Sequence, residues 1–335
     1  MLRSSRIVVP LALACAAVLG LPACHAGQAA DDGPLLIATT VAPLTSIVSA
    51  IAGDRAQVEG AVPEGTNSHT FEPPPRIAEL FSKADLIIVN GLRLEEATAD
   101  LAERNKKSGT DIVAVGDQAI PREQWIFDFS FPESEGKPNP HGWTDPIVAI
   151  RYAAAVRDAL ISTDPDGAAQ YRTNYDTFAA AANRLADAVR ADQATIPQDG
   201  RVLLTYHDAY AYFGRDFGWK IVGAVQPRNF SDPTPNEVAR LIEQVKGEKV
   251  PTIFGSEVFP STILAEIGRA TGARYEDTLR DDDLPGGPGD AEHSWLGLMR
   301  YDFITMVRGL GGTPARLEAV PLNQSSRPDT ARYPQ

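Results

Sequence analysis

Cysteine is almost absent from this chain of 335 residues. Its two cysteines are Cys15 and Cys24. Residues 25–335 therefore hold no thiol, so neither a disulfide nor a thiolate metal site is possible there. Histidine is also scarce, with five residues in the whole chain. Any site built from imidazole nitrogen must therefore collect a few histidines from separate parts of the sequence.

Positive charge is in short supply as well. Lys and Arg number 31 against 44 Asp and Glu, which gives a formal net charge of -13 at pH 7. Nucleic acids and anionic lipid surfaces repel such a chain, so we expect no nucleic-acid partner. The hydrophobic fraction of 43% supplies enough apolar side chains for one large or two ordinary domains.

The beginning of the chain has the pattern of a targeting segment. Arg3 and Arg6 form a short basic region, and residues 7–23 are uncharged and mostly Ala, Leu and Val. This apolar stretch is short for a membrane-spanning helix and lacks the flanking residues of one. We therefore expect it to direct export rather than to belong to the fold.

The end of that segment indicates how it is processed. Residues 21–24 read Leu-Pro-Ala-Cys, which resembles a bacterial lipoprotein signal whose cysteine becomes lipidated after cleavage. This predicts a signal peptide over residues 1–23, lipidation at Cys24 and a short linker over residues 24–33. The alternative is an ordinary secretory signal that is cleaved after an alanine.

Strand and helix patterns alternate along most of the remaining chain. Short apolar runs such as residues 85–90 and 201–206 predict buried strands, and segments with helical spacing separate them. This alternation is typical of parallel βαβ units. Residues 168–194 contain no Gly or Pro and place apolar side chains at steps of three or four, which predicts a helix about 40 Å long.

The sequence therefore predicts an α/β protein of two βα lobes with mainly parallel sheets, joined by one long rigid helix. The predicted N-terminal lobe covers residues 34–165, the connecting helix 166–195 and the C-terminal lobe 196–312. Residues 313–335 are rich in Pro, Arg, Ser, Asn and Gln and show no apolar periodicity. We expect them to form a flexible tail.

Three of the histidines stand in loops beside predicted elements. His69 lies in the proline-rich loop 63–75, and His141 comes just before a helix start. His207 follows the apolar run 202–205, and ligands of open α/β sheets gather at strand ends. Each histidine alone could be a capping or solvent-exposed residue. Imidazole is a common ligand of divalent metals, so the three together predict a metal site.

A fourth ligand is available among three consecutive aspartates, Asp281, Asp282 and Asp283. One carboxylate would complete a site of three imidazoles and offset part of the metal charge. The run could equally be an exposed acidic turn. Its residue types alone leave open which aspartate would bind.

Four motifs, in order, resemble the solute-binding lipoproteins of bacterial zinc and manganese ABC importers, the cluster A-I metal-binding family. They are Gly-Thr-Asn-Ser-His at 65–69 with Phe-Glu-Pro at 71–73, Asn-Pro-His-Gly-Trp at 139–143, Thr-Tyr-His-Asp-Ala-Tyr at 205–210 and Leu-Arg-Asp-Asp-Asp-Leu at 279–284. The family pattern in the last motif is an aspartate, one residue, then Leu or Met, which here selects Asp282. The resemblance covers residues 34–312.

The resemblance implies a protein that captures a metal ion and is not an enzyme. Its metal ligands would be His69, His141, His207 and Asp282, held between two lobes. The loaded protein would dock on a membrane permease driven by a cytoplasmic ATPase. We expect an extracytoplasmic monomer anchored to the cell membrane through Cys24, or a periplasmic or secreted protein if the anchor is not used.

The donor set favours Zn²⁺, because three imidazoles and one carboxylate suit a four-coordinate zinc ion. Manganese-carrying relatives usually have Glu at the position of His207, and Mn²⁺ prefers more oxygen ligands. We therefore expect zinc, with Mn²⁺ or Fe²⁺ as the alternatives. A zinc-dependent hydrolase is a second alternative, in which Glu72 or Asp208 would act as general base.

Overall fold

The computed structural model describes residues 34–226, 233–256, 262–322 and 331–334. The predicted signal peptide at 1–23, the lipidation site Cys24 and the linker at 24–33 lie outside the described residues.

The first half of the chain forms a parallel sheet with helices around it. The elements are β1 (Leu35–Thr39), α1 (Ala42–Ala52), β2 (Ala56–Gly60), α2 (Pro75–Lys83), β3 (Leu86–Val89), α3 (Glu96–Asn105), β4 (Asp111–Ala114), α4 (Val115–Ala119) and α5 (Pro146–Thr163). The strand order is β2-β1-β3-β4, and all neighbouring strands are parallel. Every residue of β3 is buried, as expected for a strand covered on both faces.

A single long helix, α6 (Ala168–Asp192), follows this lobe. Its 25 residues correspond to about 38 Å. Before α6, the carboxylate of Asp164 accepts hydrogen bonds from Arg55 at 2.7 Å and from the Tyr171 hydroxyl at 2.6 Å. These bonds tie the start of α6 to the N-terminal lobe, and α6 packs along α5.

The second half repeats the architecture of the first. Its elements are β5 (Val202–Thr205), α7 (Ala211–Phe217), β6 (Lys220–Ala224), α8 (Pro235–Glu248), β7 (Thr252–Ser256), α9 (Thr262–Thr271), β8 (Arg274–Leu279), α10 (Trp295–Gly309) and α11 (Ala315–Glu318). The strand order is β6-β5-β7-β8, again with parallel neighbours. The predicted fold class of two parallel α/β lobes and a long helix is confirmed.

The largest hydrophobic core runs through both lobes. It joins the inner faces of α1, α5 and α6 to side chains of α7 and α10. Trp143 and Trp295 are completely buried within it. The Trp143 indole N–H donates to the backbone oxygen of Asp281 at 2.9 Å, and the Trp295 indole donates to the backbone oxygen of Trp143 at 2.8 Å. The lobes are therefore packed against each other rather than linked by the helix alone.

The C-terminal segment differs from the flexible tail that its composition suggests. Leu317 of α11 is fully buried, and its backbone N–H donates to the carboxylate of Asp192 at 2.8 Å. Arg332 forms a parallel bridge with Glu59 of β2. The described parts of residues 313–335 are thus packed on the protein, because a few apolar side chains and the free edge of β2 give them a place to bind.

Within the described part of the chain, no helix has both the length and the apolar character that a bilayer span requires.

Candidate metal centre

The folding of both lobes brings the three predicted histidines to one point. His69 is in the loop between β2 and α2, and His141 precedes a short turn, Gly142–Thr144, that leads into α5. His207 follows β5, which lies between β6 and β7 at the place where the strand order reverses direction. Ligands of open α/β sheets bind at such positions.

The three Nε2 atoms face one another. His69 Nε2 lies 3.2 Å from His141 Nε2 and 3.1 Å from His207 Nε2. In a tetrahedral zinc site with Zn–N bonds of about 2.0–2.1 Å, two ligand nitrogens are separated by about 3.3 Å. The spacing of the imidazoles therefore fits a single small ion between them.

Asp282 lies beside the three histidines and belongs to a second group with His207 and Asp281. Its side chain is 5% exposed, with Oδ1 4.0 Å from His141 Nε2 and Oδ2 4.0 Å from His207 Nδ1. Ser68 donates to Oδ2 at 3.5 Å, whereas Oδ1 is buried with no hydrogen-bond partner among the described residues. A buried carboxylate oxygen without a partner costs free energy, which a bound cation would offset.

The two neighbouring aspartates are engaged elsewhere. Asp283 accepts from the backbone N–H of Gly65 at 2.7 Å, so it fixes the start of the loop that carries His69. Asp281 is 1% exposed, accepts from the Ser256 hydroxyl at 3.0 Å and lies 3.3 Å from His207 Nδ1. A carboxylate at the outer nitrogen of a ligating histidine orients the ring and makes it a stronger ligand.

Asn139 faces the outer nitrogen, Nδ1, of His141, as Asp281 faces that of His207. Its Oδ1 accepts from His141 Nδ1 at 2.8 Å and from the His141 backbone N–H at 3.1 Å. The Asn139 amide nitrogen donates to Asp128 Oδ2 and to the Asp208 backbone oxygen, both at 2.9 Å. These bonds leave Nε2 of His141 pointing at the other two histidines.

Aromatic rings form the wall on one side of the histidines. The ring of Phe131 lies 5.6 Å from that of His69 and 5.8 Å from that of His141, and Trp143 lies 5.0 Å from His141. His141 and His207 are buried, while His69 is half-buried and borders an outer cavity of about 230 Å³. An ion would therefore enter on the side of His69.

Charge is distributed unevenly across the group. Burial, followed by the proximity of His207, holds the pKa of His69 and of His141 well below 6.5. Burial also lowers the pKa of His207, but the charges of Asp282 and Asp281 outweigh it and raise this pKa to about 9. Burial raises the pKa of Asp282 to about 7. A bound cation would therefore compete with protons mainly at the side chains of His207 and Asp282.

Glu72 and Asp208, the two candidates for a general base, lie in different parts of the structure. Glu72 lines the outer cavity, and the Asp208 carboxylate accepts from the Ser130 backbone N–H at 3.2 Å. Burial and the charge of Asp208 raise the pKa of Asp128 to about 9. Asp208 thus helps to hold the loop that carries Phe131 against the C-terminal lobe.

Sequence reasoning missed Asn139 and Phe131 as parts of this site, and it considered Asp281 only as a candidate for the fourth ligand. The signal for Asn139 is its position two residues before His141, since asparagine side chains often bond the backbone two residues on. Phe131 gives no such signal, and the role of Asp281 beside His207 Nδ1 depends, like that of Phe131, on contacts with distant segments.

Known proteins resemble the chain over nearly its whole length. The model of the family "Zinc-uptake complex component A periplasmic" matches residues 37–309. The manganese-binding lipoprotein MntA of Halalkalibacterium halodurans is 29% identical over 308 residues, which cover 91% of this chain and 97% of that protein. The iron-binding protein YfeA of Yersinia pestis is 28% identical, covering 82% of this chain and 86% of the relative.

A solved structure has the same fold. The periplasmic zinc-binding protein TroA of Treponema pallidum superposes with a TM-score of 0.75 at 25% identity, covering 83% of this chain and 99% of TroA. This family is one of the metal-binding group that the four motifs resemble. Because the family model matches residues 37–309, the chain belongs to the family of the periplasmic component A of zinc-uptake complexes.

Proposed function

We propose that this protein captures Zn²⁺ outside the cytoplasm and delivers it to the permease of an ABC importer. The observation that carries the proposal is the convergence of three imidazoles beside the buried carboxylate of Asp282, with His69 Nε2 3.2 Å from His141 Nε2 and 3.1 Å from His207 Nε2. Membership of a family of metal-binding transport components supports the same role.

Capture would follow from the two-sided construction of the site. His69 and His141 come from the N-terminal lobe, and His207 and Asp282 from the C-terminal lobe. An ion held by all four would bridge the lobes, and the bridged form would dock on a permease that a cytoplasmic ATPase drives. Lipidation at Cys24 would keep the protein at the membrane surface.

Manganese or iron is the second candidate cargo, and two observations favour it. Relatives are named for manganese and for iron. In addition, Asp281 and Asp282 form a second group with the Nδ1 side of His207, and carboxylate oxygen is a ligand type that Mn²⁺ prefers. Zinc remains the proposal because three nitrogens against one or two carboxylates form a comparatively soft donor set.

The hydrolase alternative has less support. A general base must stand within hydrogen-bond reach of a metal-bound water. The Asp208 carboxylate accepts from the Ser130 backbone N–H, and Glu72 faces the outer cavity. Four protein ligands would also occupy the coordination positions of a tetrahedral zinc ion.

Metal analysis of the full chain, purified without added metal, tests the proposal. We expect about one equivalent of zinc, and competition titrations should show tighter binding of zinc than of manganese. The His207→Ala variant should lose this zinc, whereas His25→Ala, a histidine outside the four motifs, should retain it. Preferential retention of manganese would show that manganese rather than zinc is the cargo. Metal-dependent turnover of an ester or peptide would show that the protein is an enzyme rather than a transport component.

Localisation needs a separate measurement. Cys24→Ser removes the proposed lipid attachment and should move the protein from the membrane fraction to the soluble extracytoplasmic fraction, with zinc affinity unchanged. Membrane association of Cys24→Ser equal to that of the parent would contradict the anchor.

A further inference from the structure

The last described residues cross to the N-terminal lobe and extend its sheet. The Arg332 backbone N–H donates to the oxygen of Val58 at 2.9 Å, and the Gly60 N–H donates to the oxygen of Arg332 at 3.0 Å. Residues 331–334, which we call the C-terminal strap, therefore lie beside β2 as a short parallel strand. A free edge of a parallel sheet offers this type of pairing.

The strap also reaches the loop that carries His69. The backbone N–H of Glu64 donates to the oxygen of Pro334 at 3.0 Å. Gly65, the next residue, donates to the carboxylate of Asp283 at 2.7 Å. The chain then runs only a few residues before it presents His69 to the other histidines. The hydrogen bonds at Glu64 and Gly65 therefore hold the start of the loop that positions the His69 imidazole.

A buried side-chain contact joins the strap to the loop between β8 and α10, residues 280–294, in the C-terminal lobe. The ring of Tyr333 stands edge-on to that of His293, with centroids 4.7 Å apart and an interplanar angle of 88°. His293 is 3% exposed, and its Nε2 lies 3.7 Å from Glu64 Oε1. Tyr333 itself is 9% exposed. Three segments that are distant in sequence therefore meet in one packed contact next to the start of the loop that carries His69.

The sequence of β2 leaves room for this arrangement. A Cβ atom added to Gly60 would lie 3.0 Å from Thr45 Oγ1 and 3.4 Å from Pro334 Cδ. These separations are tight for a real side chain, so the glycine permits close approach of the strap.

We propose that the C-terminal strap is a positioning element that holds the His69 loop in its metal-binding conformation, so that release of the strap speeds release of the metal ion. The inference rests on the proposed function. His69 is the half-buried histidine beside the outer cavity, so motion of its loop opens the site to solvent. Binding is weakened in proportion to the fraction of molecules whose loop is out of place.

The closing experiment uses a matched pair of variants in the full chain. Arg332→Pro removes the backbone N–H that bonds to Val58, whereas Arg332→Ala keeps it and removes the exposed side chain with its weak surface ion pair to Glu59. Dissociation of Zn²⁺ is followed after mixing with excess chelator, and amide hydrogen exchange is followed at residues 64–69 and in β5–β8. We expect Arg332→Pro to lose zinc roughly tenfold faster and to exchange faster at 64–69 only, while Arg332→Ala behaves as the parent.

A second pair protects the test against misfolding of the proline variant. Tyr333→Ala removes the ring that contacts His293 and should speed zinc loss roughly fivefold, whereas Tyr333→Phe keeps the ring and should restore most of the parent rate. Zinc loss at the parent rate in both Arg332→Pro and Tyr333→Ala overturns the proposal. Faster exchange throughout β5–β8 also overturns it, because the strap would then stabilise the whole fold. If the parent fails to bind zinc, the proposed function is wrong. The amide exchange rates at residues 64–69 in the variants then decide by themselves whether the strap holds the His69 loop.

Discussion

The two lobes share a strand order but support their histidines with different chemistry. In the N-terminal lobe, the neutral amide of Asn139 orients His141, whose pKa is held well below 6.5, first by burial. In the C-terminal lobe, the carboxylate of Asp281 faces His207, and despite burial the charges of Asp282 and Asp281 raise the pKa of His207 to about 9.

On the proposed function, this difference would divide the work of metal binding. The N-terminal lobe would contribute neutral nitrogen ligands, of which His141 is held by hydrogen bonds to Asn139. The C-terminal lobe would contribute the negative charge that a divalent cation requires. The comparison predicts that changes in the C-terminal lobe should cost more affinity than matched changes in the N-terminal lobe.

Removal of His207 should have the largest effect, because its Nε2 lies 3.1 Å from His69 Nε2 while its Nδ1 faces the carboxylates of Asp281 and Asp282. We expect His207→Ala to weaken zinc binding by roughly a thousandfold or more. His69→Ala removes a half-buried ligand whose place water can take, and should cost roughly a hundredfold. Chelator competition measures both affinities, and equal losses would contradict the division between lobes.

Loss of the supporting charge should have the next largest effect. Asp281→Asn keeps the shape of the side chain but removes the charge facing His207 Nδ1 at 3.3 Å. Zinc affinity should fall by about 10- to 100-fold, whereas Asp290→Asn, an exposed acid of the same loop, should change it little. The comparison would be wrong if Asn139→Ala weakened zinc binding more than Asp281→Ala, the matching truncation in the C-terminal lobe.

The pH dependence of zinc binding should follow the C-terminal lobe. Zinc requires neutral imidazole, and in the metal-free protein His207 holds its proton below a pKa of about 9. Affinity should therefore fall about tenfold per pH unit from pH 9 to 7, and more steeply below about 7, where Asp282 also binds a proton. Calorimetric titrations across this range measure the slope. An affinity independent of pH between 7 and 9 would contradict the raised pKa of His207.

The smallest change should be in overall shape. The shared core and α6 hold the lobes together, so metal binding should alter the radius of gyration by less than about 1 Å. Small-angle scattering of the metal-free and zinc-loaded forms measures this. A change of several ångströms would mean that the lobes separate when the ion leaves.

Much of the fold could be predicted from apolar patterning. Strands such as β3 and β5 are buried along their whole length, so they appear in the sequence as continuous apolar runs. β8 has no such run, because Arg-Tyr-Glu-Asp-Thr-Leu carries three charged residues among its six. It lies at the edge of its sheet, where a strand has a neighbour on one side only. Position in the sheet, which the local sequence does not encode, decides how polar a strand can be.

The site was predictable in outline only. Loop position and motif order pointed to His69, His141 and His207, and the structure brings their Nε2 atoms together. The choice among three adjacent aspartates was not decidable from residue type. It depends on which carboxylate faces Ser256, which faces Gly65, and which has an oxygen left without a partner. That these residues bind metal stays a prediction until a bound ion is measured.

The continuous core has a practical consequence for anyone who builds a metal sensor from this protein. A pair of fluorophores placed on the two lobes would report little, because the lobes share Trp143, Trp295 and the packing around α6. Each half expressed separately would also expose the apolar surface that the other half now covers. A single environment-sensitive dye on the loop between β2 and α2, close to His69, would give the better signal.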